Sequence, residues 1–285
     1  MNNTPTIVAA DGHVHVYPAY DMTAVFRNLI QNLDRLAALA QGKETNSRNV
    51  FKLAFLAEGH GHDFFSRLQN QDKAVMANGL KVISAHDPVC VTVGIHNVGQ
   101  VCLVAGRQIV TRERLEILGL AMLATIPDNL PTAEVIRRVI EAGGIPVLAW
   151  SPGKWLFARG QLVRNLIAND QAKVLRLGDT TLRPTRWPKP RPMRRACERG
   201  MMVIPGSDPL PLAGEERYAG TYGFVYQGAF DASQPTASIG HMLAGPAAAI
   251  TPVGARCGIW DVAWRLKRLR EARNRTTACP PSCPP

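Results

Sequence analysis

From Thr132 onward the chain alternates apolar strands with amphipathic helices, and this alternation limits its fold more than any other feature. Thr132–Ala142 reads as a helix with Thr132 as N-cap and Gly143-Gly144 as its stop. Ile145–Ala149 follows as a buried strand, Leu162–Ala168 as a helix and Val174–Leu177 as a strand. Met193–Arg199 is a helix closed by Gly200, Met201–Pro205 a strand, and Asp261–Arg273 a final helix. Strands joined through helices run parallel. In the closed version of that arrangement, a β/α barrel, functional side chains sit at the C-terminal ends of the strands. A chain of 285 residues is long enough for one such barrel.

The first half is patterned less evenly. Thr6–Val16 reads as a strand, and Ala19–Ala40 as a helix with Val25, Leu29, Leu33, Leu36 and Leu39 at helical spacing. A polar loop, Gly42–Asn49, leads to a strand at Val50–Ala57 and a short helix at Asp63–Gln69. Lys81–Ser84, Val89–Ile95 and Val101–Val110 are strands, the last two joined by a hairpin-like turn at Asn97-Val98-Gly99-Gln100. Leu115–Leu123 is a short apolar segment, and Gly214–Gly258 shows no clear pattern.

Chemistry-bearing residues collect where predicted strands end. Asp11-Gly12-His13-Val14-His15 closes the first strand, and strand alternation points Asp11, His13 and His15 the same way. Imidazole and carboxylate together suit a divalent transition metal. His60 and His62 form a second His-x-His after the second strand, between glycines that also fit a plain loop. Glu116 lies between Leu115 and Ile117, so in an extended segment it faces away from both. Trp150 ends a strand, and the turn after it offers Lys154 and Arg159. Asp179 and Arg183 follow another strand, and Asp208 follows the late one in Gly206-Ser207-Asp208. Arginine offers a planar fork suited to phosphate oxygens, and lysine a point charge.

Composition narrows the choices. No apolar run approaches the roughly 18 residues of a membrane span. The polar start, Met1 to Thr6, is no secretory leader, and the six cysteines show no zinc-ribbon spacing, so reduced thiols in the cytoplasm are expected. The net charge of +11 is concentrated in Arg183–Arg199 and Arg265–Arg275. Basic runs are usually solvated faces, so a nucleic-acid partner is the minority reading and a small anionic substrate the favoured one. The ending Cys279-Pro-Pro-Ser-Cys283-Pro-Pro cannot form a helix, which leaves residues 1–275 as one domain and 276–285 as a disordered tail.

The order of motifs resembles the polymerase and histidinol phosphatase (PHP) family of metal-dependent phosphoesterases. Asp11, His13 and His15 match its opening Asp-x-His-x-His, and Gly206-Ser207-Asp208 its closing Gly-Ser-Asp. Between them, Gly106-Arg107-Gln108 resembles a Gly-x-Glu strand with Gln108 in the Glu place. Leu115-Glu116-Ile117-Leu118-Gly119 has Glu116 where the family has His, and Ala149-Trp150-Ser151-Pro152 has Trp150 where it has a ligand His. Leu210 likewise replaces the last His. The resemblance, over roughly residues 6 to 215, implies a distorted seven-stranded β/α barrel. It also implies an ancestral cluster of two or three metal ions, reduced here to one by the changes at Gln108, Trp150 and Leu210; imidazole and carboxylate ligands suit Zn, Mn or Fe.

These observations give His13, His15, Asp208 and Glu116 as candidate metal ligands. Lys154, Arg159, Arg183 and Asp179 are candidate catalytic residues, and Tyr17, Trp150 and Lys154 candidate substrate contacts. The expected function is a metal-dependent phosphoesterase acting on a small anion. The alternative is a degenerate barrel that binds a ligand or protein without chemistry, with Trp150 filling the volume of a lost ligand. An amidohydrolase would need further histidines, and none lies between His96 and His241.

Overall fold

The computed structural model describes residues 7–41, 50–76, 79–169 and 174–278. The predicted loop at Gly42–Asn49 and the Cys279/Cys283 ending lie outside them.

Two sheets form the molecule. The larger contains β1 (Ile7–Val14), β2 (Val50–Leu56), β3 (Leu80–Asp87), β4 (Cys90–Ile95), β5 (Gly99–Val104), β11 (Tyr222–Gln227) and β12 (Ile250–Gly254), in the order β12-β11-β1-β2-β5-β4-β3. The smaller contains β6 (Gly106–Val110), β7 (Glu116–Leu120), β8 (Ile145–Ala149), β9 (Arg176–Thr180) and β10 (Val203–Gly206), in the order β10-β9-β8-β7-β6. Strands β8, β9 and β10 pair in parallel, as their intervening helices require, whereas β6, β7 and β8 pair antiparallel.

The expected single closed ladder is therefore replaced by two sheets that abut at two seams. At one seam the Asp208 N–H donates to the His13 carbonyl (2.8 Å), joining the ends of β1 and β10. At the other, Glu58 donates to the Gly106 carbonyl and accepts from the Gln108 N–H, joining the end of β2 to β6. Both seams need glycine. A side chain at Gly12 would meet the Pro205 carbonyl at 2.7 Å, and one at Gly106 would meet the Leu56 carbonyl at 2.3 Å. The predicted strand Val101–Val110 is split at Ala105, where the chain leaves the larger sheet for the smaller.

The helices are α1 (Met22–Gln41), α2 (Phe64–Gln69), α3 (Thr132–Glu141), α4 (Phe157–Ala168), α5 (Arg191–Glu198), α6 (Pro235–Ala244) and α7 (Ile259–Ala278). In β1, Ile7 and Ala9 face α1 while Val8 and Ala10 face the space between the sheets. Burial on both faces explains the unbroken apolar run. The inter-sheet core holds Leu53, Phe55, Leu118, Val147, Ile204 and Phe224, and Ile239, Met242 and Leu243 of α6 belong to it. Phe55→Ala should cost about 3–5 kcal/mol in urea denaturation, because the Phe55 and Phe224 rings lie 6.4 Å apart in a fully buried layer. A midpoint unchanged from wild type would contradict that packing.

Several expectations need correction. Thr132 is the first helical residue of α3, not its cap; Pro131 holds the flanking position, and Glu113 accepts the Thr132 N–H and hydroxyl. Leu115–Leu123 contains strand β7, and Gly214–Gly258 contains β11, α6 and β12. Helix α7 runs through Ala278, three residues into the supposed tail. Among the described residues, no helix is long and apolar enough to cross a membrane.

Candidate metal centre

The end of β1 and the turn after β10 bring His13, His15 and Asp208 together, as potential ligands of one ion. The two Nε2 atoms are 3.0 Å apart, and each is 3.6 Å from Asp208 Oδ1. Donors around a tetrahedral ion at ordinary Zn–N and Zn–O lengths are about 3.3 Å from one another. The observed separations bracket that value. Burial lowers both imidazoles to about 4, opposed at His15 by Asp208 and Glu116 and by a hydrogen bond to the Ala57 backbone. Both histidines are thus neutral at pH 7, the form that ligates metal. Burial raises Asp208 to about 6, against the pull of His15. His13 Nδ1 is a buried polar atom with no hydrogen-bond partner among the described residues, so the ring is oriented by packing and through Nε2, which lies beside Gln108 Oε1. Two neutral imidazoles and a carboxylate, buried and gathered within ligand distance of one another, fit a divalent ion.

Asp208 itself has φ near +50°, a left-handed conformation that is unfavourable for a non-glycine residue. Asp11 holds the turn in place. Its carboxylate accepts from the N–H groups of His13, Ser207 and Gly220 and from the Ser207 hydroxyl. Burial pushes Asp11 up to about 7, in opposition to those four bonds, which favour its ionised form. Asp11 thus ties β1 to the Asp208 turn and lends no oxygen to the ion site.

Glu116 is placed differently from the expected fourth ligand. Because β7 runs antiparallel to β8, its first residue lies beside the turn that follows β8. One Glu116 oxygen accepts from Lys154 Nζ (2.5 Å) and the other from Ser151 Oγ (2.6 Å). Burial would raise Glu116, but Lys154 and Ser151 outweigh it and hold the carboxyl below its ordinary range. Gln108, which the resemblance sets aside, has its Oε1 3.1 Å from His13 Nε2. A side-chain amide oxygen therefore stands beside the cluster. In sequence Gln108 reads as a ligand position that has lost its carboxylate, yet the amide keeps an oxygen donor there.

These residues open into a cavity of about 430 Å³, lined by His15, Tyr17, Gln108, Glu116, Lys154 and Asp208. The Tyr17 ring stacks on His15 with centroids 5.1 Å apart. Four other candidates lie outside the cavity lining. Asp179 and Arg183 form a buried bidentate pair, and Tyr222 adds a hydrogen bond to the carboxylate. Their charges are spent on each other. Arg159 donates to the Gly153 carbonyl, and Trp150 is packed into the core beneath α3, α4 and α5. His60 and His62 line a separate cavity with Glu58 and Arg107.

No family model matches the sequence, and no curated protein matches it. Among solved structures the chain is similar to PsfC from Pseudomonas syringae PB-5123. That likeness has a TM-score of 0.51 at 11% identity and covers 95% of this chain and 99% of PsfC. The lesion-specific endonuclease PfuEndoQ from Pyrococcus furiosus gives a TM-score of 0.47 at 14% identity, over 84% of this chain and 56% of that one. At such identities the first likeness speaks to the fold alone.

Proposed function

We propose that the chain is a metal-dependent hydrolase on a PHP-like, distorted barrel, a phosphoesterase with a single-ion site acting on a small anionic substrate. One observation carries this reading: His13, His15 and Asp208, some two hundred residues apart in sequence, converge at ligand spacing in a buried pocket. The two abutting sheets, with these residues at strand ends, agree with a barrel opened at two seams. A bound divalent ion, Zn, Mn or Fe, would supply Lewis acidity toward a phosphoryl oxygen and a lowered pKa for water. The protein's own part is positional. His13, His15 and Asp208 would hold the ion, Gln108 offers a neutral oxygen beside them, and Lys154 keeps Glu116 ionised at the cavity wall. Tyr17 fixes the His15 ring and forms part of the mouth.

Metal analysis of purified protein tests the proposal. About one ion per chain is expected, and a His13→Ala/His15→Ala double variant should lose it. Protein that purifies without metal, and whose melting temperature does not move on adding Zn or Mn, would sink the hydrolase reading. That outcome would favour a barrel that binds without chemistry, a reading supported by the apolar residues Trp150 and Leu210 at strand-end positions.

A further inference from the structure

Helix α7 contributes a stripe to the cavity that holds the candidate metal ligands. Leu266, Leu269, Arg270 and Arg273 are spaced i, i+3, i+4 and i+7, and all four line it. The stripe changes character along the helix, from two leucines to two arginines. Leu182, Leu210, Pro209 and Pro211 extend the apolar side.

The basic residues of α7 do not all face the same way. Arg265 is buried in a pair with Glu215, Lys267 lies 3.9 Å from Glu271, and Arg268 stacks on Trp264. Arg270 and Arg273 are the ones on the cavity stripe, and Arg270 has no acidic partner among the described residues. The other cation of the cavity, Lys154, is neutralised by Glu116. Two guanidinium groups of α7, those of Arg270 and Arg273, thus line the same cavity as His15 and Asp208. Guanidinium forks suit tetrahedral oxyanions, and a wall of leucine and proline suits an apolar group attached to one.

We infer that α7 is the specificity element of this site: Arg270 and Arg273 bind the phosphate of a small phosphomonoester, and the leucine–proline wall takes its apolar body. The inference rests on the phosphoesterase reading, but its test does not need the metal. Binding of phenyl phosphate, glycerol phosphate and inorganic phosphate is measured by calorimetry at low salt, on metal-stripped and metal-loaded protein. Phenyl phosphate should bind more tightly than the other two. An Arg270→Gln/Arg273→Gln variant should weaken all three by about tenfold or more, as the loss of charge-assisted hydrogen bonds predicts. A Lys267→Gln/Arg268→Gln variant removes equal charge from the same helix and should bind as wild type does.

Equal loss in both variants would reduce the effect to general helix charge and overturn the assignment, as would no loss in the arginine variant. Equal affinity for phenyl and glycerol phosphate would overturn the apolar-body half. Displacement of phenyl phosphate by a short single-stranded oligonucleotide would assign the arginines to a polymer instead. Metal content is measured alongside. Arginine-dependent binding by a protein that takes up no metal would leave this inference standing while the hydrolase reading fell.

Discussion

Arg265→Met is expected to destabilise the protein by about 3–5 kcal/mol, because it strands a buried carboxylate. Arg265 is fully buried and reaches both oxygens of Glu215, with the shortest contact 2.6 Å. It also donates to Thr181 Oγ1 and lies 4.0 Å over the Tyr218 ring. Glu215 in turn accepts the Leu210 N–H, so the pair locks α7 against the segment that follows Asp208. A Glu215→Gln/Arg265→Met double variant removes the orphaned charge yet keeps an acceptor for Leu210. It should recover part of the loss. Urea denaturation of the three proteins measures this, and an Arg265→Met midpoint equal to wild type would show that the pair contributes nothing.

Asp11→Ala is expected to cost on the order of 4 kcal/mol, since three backbone N–H groups and a hydroxyl lose their acceptor in a dry environment. The consequence reaches the proposed ion site. Ser207, held by Asp11, precedes Asp208, and Asp208 must keep an unfavourable backbone conformation. Metal affinity should therefore fall by about 10–100-fold, as it does when groups that orient metal ligands are removed. Titration with Zn or Mn at a temperature where the variant is folded would check this. An unchanged affinity would mean that Asp208 needs no such support.

The paths from residue to site differ in how far they can be read beforehand. The His13/His15 pair is legible because strand alternation is a local rule, and it places both rings on one face. Asp208 is legible as a strand-end carboxylate. Glu116 is only half legible: alternation says that it opposes Leu115 and Ile117, while its capture by Lys154 and Ser151 follows from an antiparallel register with β8. Asp179 and Arg183 look like site residues in sequence, since a carboxylate and a cation after a strand have the same pattern whether they face a cavity or each other. Strand β11 escaped because Tyr222-Gly-Phe-Val-Tyr-Gln is buried along most of its length and so has no alternation to detect.

The sequence alone determined the parallel strand–helix run from β8 to β10, the helices that flank it, and the face shared by His13 and His15. Each follows from periodicity and rotamer direction within a few residues. The tertiary structure decided the rest: two sheets meeting at glycine seams, Asp11 as a clamp, Gln108 beside His13, and α7 across the cavity. Those depend on which distant segments come within hydrogen-bond reach, and a local pattern carries no information about distance through space.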